Sequence, residues 1–162
     1  MGTLKGRVGG IFYGHDLEAE KQGDKIKGRF GGKVLGNDID LKLSPDGDDY
    51  KLSGRFGGAT IGYDLDIDIV KNFTSARGRY GGGVVGNDIN LSGVSQITGR
   101  IGGEKIGYDV DCKRISAGKI EGRIGGRIIG GSVDIEIRDF PVMVAVILAV
   151  ANYIYMKEQN NA

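Results

Sequence analysis

Apolar and polar residues alternate with period two along most of the first 138 residues, and glycines interrupt the alternation at regular places. In Ile26-Lys27-Gly28-Arg29-Phe30, residues Ile26, Gly28 and Phe30 share one face, and Lys27 and Arg29 share the other. Beyond Gly31-Gly32 the alternation resumes, with Leu35, Ile39, Leu41 and Leu43 opposite Asp38, Asp40 and Lys42. Successive side chains of a strand point to opposite faces, so both segments are predicted to be half-buried strands. Gly31-Gly32 between them suits a hairpin turn that needs positive φ.

The same unit occurs six times. Gly-Arg, an apolar residue, Gly-Gly, three variable residues and Gly begin at Gly6, Gly28, Gly54, Gly78, Gly99 and Gly122. In five copies an Asp follows two residues after the last Gly. A motif recurring every 21 to 26 residues marks one supersecondary unit repeated. Six hairpins in series over residues 1–138 predict about twelve antiparallel strands. The inward positions before the motif hold Leu4, Ile26, Leu52, Ala76, Ile97 and Ile120. Those after the Arg hold Val8, Phe30, Phe56, Tyr80, Ile101 and Ile124. Gly6 and its equivalents stand between these two sets. An inward glycine loses packing unless another element comes close, so a large object is expected against the inner wall.

Residues 139–157 supply a candidate for that object. Asp139 is expected to cap a helix with Pro141 in its first turn, and every residue from Val142 to Ala151 is apolar. A helix without a polar face must be enclosed by protein or lipid. Twelve strands spaced about 4.8 Å and tilted roughly 40° close with a radius near 12 Å. A helix of radius about 5 to 6 Å then leaves room for one layer of inward side chains. The predicted fold class is therefore mainly β: a closed antiparallel barrel of about twelve strands with a buried C-terminal hydrophobic helix through its centre. It is a single domain over residues 1–162, with a polar tail at 158–162. The alternative is a tail anchor through residues 140–156, at the short limit of the roughly 17 to 25 residues needed to span a bilayer.

Composition narrows the classes further. With 22 basic against 21 acidic residues, the net charge of +1 gives no net field that would attract nucleic acid or an anionic membrane. Of the 31 glycines, 24 occupy the motif positions, so glycine serves the architecture. A lone cysteine, Cys112, excludes an internal disulfide framework and suits a reducing compartment. The chain enters its first repeat without an apolar signal region, and a cytoplasmic location is expected.

The barrel with its all-apolar last helix, opened by Asp139-Phe140-Pro141, resembles the Tubby C-terminal-like superfamily. That superfamily includes Tubby domains, phospholipid scramblases and LURP-one-related proteins. The resemblance implies a twelve-stranded barrel threaded by a C-terminal helix and, by fold analogy, association with lipid headgroups. No counterparts of the superfamily's phosphoinositide-binding or calcium-binding residues occur here, so none is carried over.

Candidate chemistry is sparse. A single His15 and a single Cys112 complete neither a metal site nor a catalytic triad, so His15 reads as a surface residue and Cys112 as a small core hydrophobe. Asp46, Asp48 and Asp49 lack the distal Glu of a calcium loop and read as a polar turn. Arg7, Arg29, Arg55, Arg79 and Arg100 recur with Asp16, Asp38, Asp64, Asp88 and Asp109 at a register that suits cross-strand pairing. The sixth copy departs: Ser132 replaces the Asp and Arg127 adds a charge, which makes Arg123 and Arg127 the candidates for an anion site. The expectation is a non-enzymatic binding or scaffold protein without a cofactor, touching membrane lipid if any surface.

Overall fold

The computed structural model describes residues 1–9, 14–31, 36–57, 62–81, 86–102, 107–125 and 130–160. Twelve strands follow in order: β1 (Gly2–Val8), β2 (His15–Gln22), β3 (Lys25–Gly31), β4 (Gly36–Asp46), β5 (Asp49–Gly57), β6 (Gly62–Ile69), β7 (Ser75–Gly81), β8 (Gly86–Ser92), β9 (Gln96–Gly102), β10 (Gly107–Ser116), β11 (Lys119–Gly125) and β12 (Gly130–Arg138). Each is antiparallel to its neighbours in the chain, and β12 pairs with β1 to close the barrel. One helix, α1 (Val142–Asn160), follows.

The alternation of the sequence maps directly onto the wall. All twelve inward residues flanking the first motif glycine are buried, from Leu4 and Val8 in the first copy to Ile120 and Ile124 in the last. The even strands add Leu17, Ile39, Leu65, Ile89, Val110 and Val133 to the same core. From Val144 to Ala151 the side chains of α1 are 0% exposed. The helix therefore fills the barrel, and an all-apolar surface is what such a position requires. Among the described residues no helix is long and apolar enough to cross a membrane.

Two expectations about glycine meet different outcomes. The first Gly of each Gly-Gly pair has a positive φ in all six copies, from 99° at Gly102 to 147° at Gly81, a region that L side chains avoid. Gly31 pairs with Gly36, so residues 32–35 separate the paired positions; Gly32 and the rest of the anticipated turn lie outside the described residues. The inward motif glycines were expected to make room for the helix. Instead, what closes on them is the strand before. A Cβ on Gly28 would fall on the carbonyl oxygen of Glu18 and stand 2.7 Å from the Cα of Ala19. Gly6, Gly54, Gly78, Gly99 and Gly122 meet the equivalent carbonyl and Cα of β12, β4, β6, β8 and β10. Each odd strand thus passes its even neighbour here too closely for any side chain, an approach of backbone to backbone that glycine allows.

The entry to the helix also differs from expectation. Asp139 does not cap it: its φ of 50° turns the chain at the end of β12. Ala145 N–H donates to the carbonyl of Pro141 at 3.0 Å, which places Pro141 in the capping position. Pro141 has no N–H of its own to leave unsatisfied there. The helix runs on to Asn160, beyond the expected end at 157.

Candidate functional site: an outer groove at the barrel seam

The outward residues form belts of alternating charge. Arg7 bonds Asp16 at 2.8 Å and Arg100 bonds Asp109 at 3.0 Å; Arg29–Asp38 and Arg79–Asp88 stand at 3.6 and 3.8 Å. Arg55 and Asp64 are direct register partners. These pairs are exposed, so they fix register more than they add stability. Arg123 faces Ser132 on β12, as the sequence implied, but it also faces Asp111 on β10, a carboxylate that the sequence reading did not place there. Arg127 lies outside the described residues, so the two candidates are not seen together.

The seam where the last hairpin meets the first holds an open groove of about 900 Å³ across β11, β12, β1, β2 and β3. Its upper row runs Lys119, Glu136, Lys5, Glu18 and Arg29 on five adjacent strands, alternating in sign. Lys5 bonds Glu18 at 3.8 Å, and Lys119 bonds Asp134 at 3.4 Å. The lower row runs Arg138, Thr3, Glu20 and Lys27. There the alternation fails, because Thr3 stands where an acid would face Arg138. Among the described residues, neither Arg138 nor Lys27 forms an ion pair. Arg138 shares its end of the groove with Thr3 and Ser116, two hydroxyl side chains. Lys27 stands in register between Glu20 and Asp40, so the free end of the groove is that of Arg138, whose guanidinium beside two hydroxyls suits an anionic oxygen group. The sequence reading missed this site, because it assembles from residues at both ends of the chain that only barrel closure joins.

A second polar cluster sits inside the opposite mouth, where α1 ends. Asn152 is the buried polar residue of the described helix, and its Oδ1 lies 3.3 Å from Nδ1 of His15. The amide oxygen only accepts, so His15 Nδ1–H donates. His15 is therefore half-buried against the helix and not a surface residue as expected. Burial lowers its pKa and Arg7 adds to this, while the Asn152 bond and Asp16 oppose it. Tyr153 packs edge-on to Tyr108 at 5.4 Å, and burial raises its pKa. Among the described residues, Asn152 Nδ2 and Tyr153 Oη are buried without a hydrogen-bond partner. Cys112 is in the core as expected, where burial and the nearby Asp111 push its thiol up to about 12. Among the described residues no group of three His, Cys, Asp or Glu side chains could hold a metal ion. No protein-family model, curated protein or solved structure matches the chain.

Proposed function

We propose that the protein is a non-enzymatic binding barrel of the Tubby C-terminal-like kind, and that its seam groove takes a phosphate-bearing headgroup. One observation carries this reading: Arg138, at one end of an open groove of about 900 Å³, faces Thr3 where an acid would stand and forms no ion pair among the described residues, while Lys27, though in register with Glu20 and Asp40, forms none either. Elsewhere on the wall the motif arginines have carboxylates beside them in register. An unpaired guanidinium next to hydroxyls forms charge-assisted bonds to phosphate oxygens without first breaking an internal pair. The non-enzymatic part of the reading rests on the repeat itself, which presents similar polar groups around the wall where catalysis needs unlike groups converging.

Thermal melting tests the groove. Inorganic phosphate and soluble inositol phosphates should raise the melting temperature of the parent, because a ligand that binds only the folded state stabilises it. Arg138→Gln with Lys27→Gln should abolish that rise while leaving the unliganded melting temperature nearly unchanged. Equal shifts in parent and double variant would overturn the assignment.

A further inference from the structure

Every large apolar side chain that the described residues leave exposed lies at one end of the barrel. Met1, Val70, Val94 and Ile115 are 73%, 37%, 65% and 51% exposed. Val70 follows β6, Val94 joins β8 to β9, Ile115 is at the end of β10, and Met1 precedes β1. These strands succeed one another around the barrel, so the four tips occupy four adjacent connections of the six at this rim, a continuous two thirds of it. Neighbouring tips are two strands, or about 10 Å, apart.

Basic side chains follow the same run of connections, bounded by Asp49, whose carboxylate accepts from the backbone N–H of Lys71 at 2.9 Å. Lys71, Lys113, Arg114 and Arg138 stand beside the apolar tips, and none forms an ion pair among the described residues. Arg114 instead donates to the carbonyls of Ser116 and Ala117 at 3.2 and 2.6 Å. Asp139 is the acid on the described connections of this part of the rim. The N-terminal end of α1 opens at the same mouth, and its unpaired N–H groups add partial positive charge. The remaining third carries Asp24, Asp46, Asp48 and Asp49 on its two turns, and its described residues expose no large apolar side chain.

Isolated exposed aliphatics are ordinary on protein surfaces. Their succession along four adjacent connections of the described rim, beside basic side chains, is not. We infer that this part of the rim rests on an anionic lipid bilayer, with Val70, Val94 and Ile115 entering the boundary between headgroups and acyl chains. Interfacial binding of this kind adds buried apolar area to the attraction between basic side chains and anionic lipid. The inference rests on the proposed groove function in one respect: Ser116 and Arg138 line the groove, so seating Ile115 in the bilayer brings the groove to headgroup level.

Co-sedimentation with lipid vesicles tests it. The parent should sediment with phosphatidylcholine vesicles containing phosphatidylserine at low salt, and not with phosphatidylcholine alone. Val94→Asp with Ile115→Asp should weaken this by about tenfold or more, with an unchanged melting temperature because both positions are exposed. Lys71→Glu with Lys113→Glu, which leaves the apolar tips intact, should weaken it as well and remove its salt dependence. Failure of the parent to sediment, or equal sedimentation of parent and tip variant, would overturn the rim assignment. A parent that fails on vesicles but keeps its phosphate-induced melting shift refutes the rim and spares the groove. Tip-dependent vesicle binding without any such shift supports the rim and refutes the groove.

Discussion

Gly131 on β12 faces the ring of Tyr153 so closely that a Cβ at this position would stand 2.9 Å from Cε2 and 3.1 Å from Cδ2 of that ring. The equivalent positions of the other hairpins hold His15, Asn37, Tyr63, Asn87 and Tyr108. The sixth hairpin alone leaves a notch, and the helix fills it. Beside the notch, across β1, His15 meets Asn152, the residue before Tyr153 on the helix. A wall with near sixfold repetition offers a smooth helix several equivalent rotations. These two contacts on consecutive helix residues select one of them.

Gly131→Tyr, which restores the residue type of Tyr63 and Tyr108, should therefore expel the Tyr153 ring. We expect a loss of about 1 to 3 kcal/mol, the usual cost of overpacking. Adding Tyr153→Ala should recover part of that loss, which a double-mutant cycle measured by urea denaturation would reveal. Strictly additive losses would mean that the two positions do not share one space.

The glycines at these close approaches give a sharper test than an ordinary core position. At Gly99 a Cβ would fall on the carbonyl oxygen of Asn90 and 2.9 Å from the Cα of Leu91. Backbone cannot swing aside as a flexible side chain does, so even Gly99→Ala should cost more than about 2 kcal/mol. The outward neighbour Thr98→Leu should stay within about 0.5 kcal/mol. If Ala were tolerated at position 99 and only large residues failed, the helix and not strand β8 would be the limiting neighbour.

Deleting residues 141–162 would expose the inner wall and remove eight fully buried consecutive positions, Val144 to Ala151. Burial of one aliphatic side chain is worth about 1.5 to 3 kcal/mol. Val144, Val146, Ile147, Leu148 and Val150 together are comparable to the net stability of roughly 5 to 15 kcal/mol of an ordinary domain. The truncated chain should lack native near-UV circular dichroism and aggregate. A truncated chain with the native signal would show that the barrel stands without its filling.

His15 should make stability depend on pH just below neutrality. Its ordinary pKa is 6.5 and burial lowers it in the folded state. Above 6.5 the imidazole is neutral in both states, and its contribution is complete. As pH falls through 6.5 the unfolded chain takes up a proton that the folded chain resists, so stability declines until the lowered folded pKa is passed. Melting temperatures recorded from pH 7.5 down to 5.5 should fall, and His15→Gln should flatten that slope. An unchanged slope in the variant would assign the effect to other groups.

Much of the barrel is legible in the sequence because period-two alternation and inward burial have a single cause, the pleat of the strand. Ile26, Phe30, Ile39 and Leu41 are buried where alternation places them, and Arg100 reaches Asp109 where register places it. The role of Gly28 is not legible, since alternation reports which face a residue occupies and not how near the adjacent strand's carbonyl comes. His15 was misread for a related reason: its partner is 137 residues away. The groove is hidden similarly. Thr3 gives Arg138 no acid to pair with only because β1 lies against β12, and neither segment alone carries a sign of that neighbour.

Closure of β12 on β1, with α1 touching β1, β2, β7, β10, β11 and β12, decides how the repeats can be lost. In solenoid proteins each repeat completes its core against its immediate neighbours, so stability accumulates along the array and the ends can melt first. Here every hairpin turns its apolar face towards the same helix, and removing any one opens the ring to water. A single hairpin has nothing to fold upon, and five would enclose nothing. The unit of repetition is the hairpin, but the unit of cooperativity is the whole chain. Denaturation should pass through one transition, with hairpin and helix signals vanishing at the same denaturant concentration.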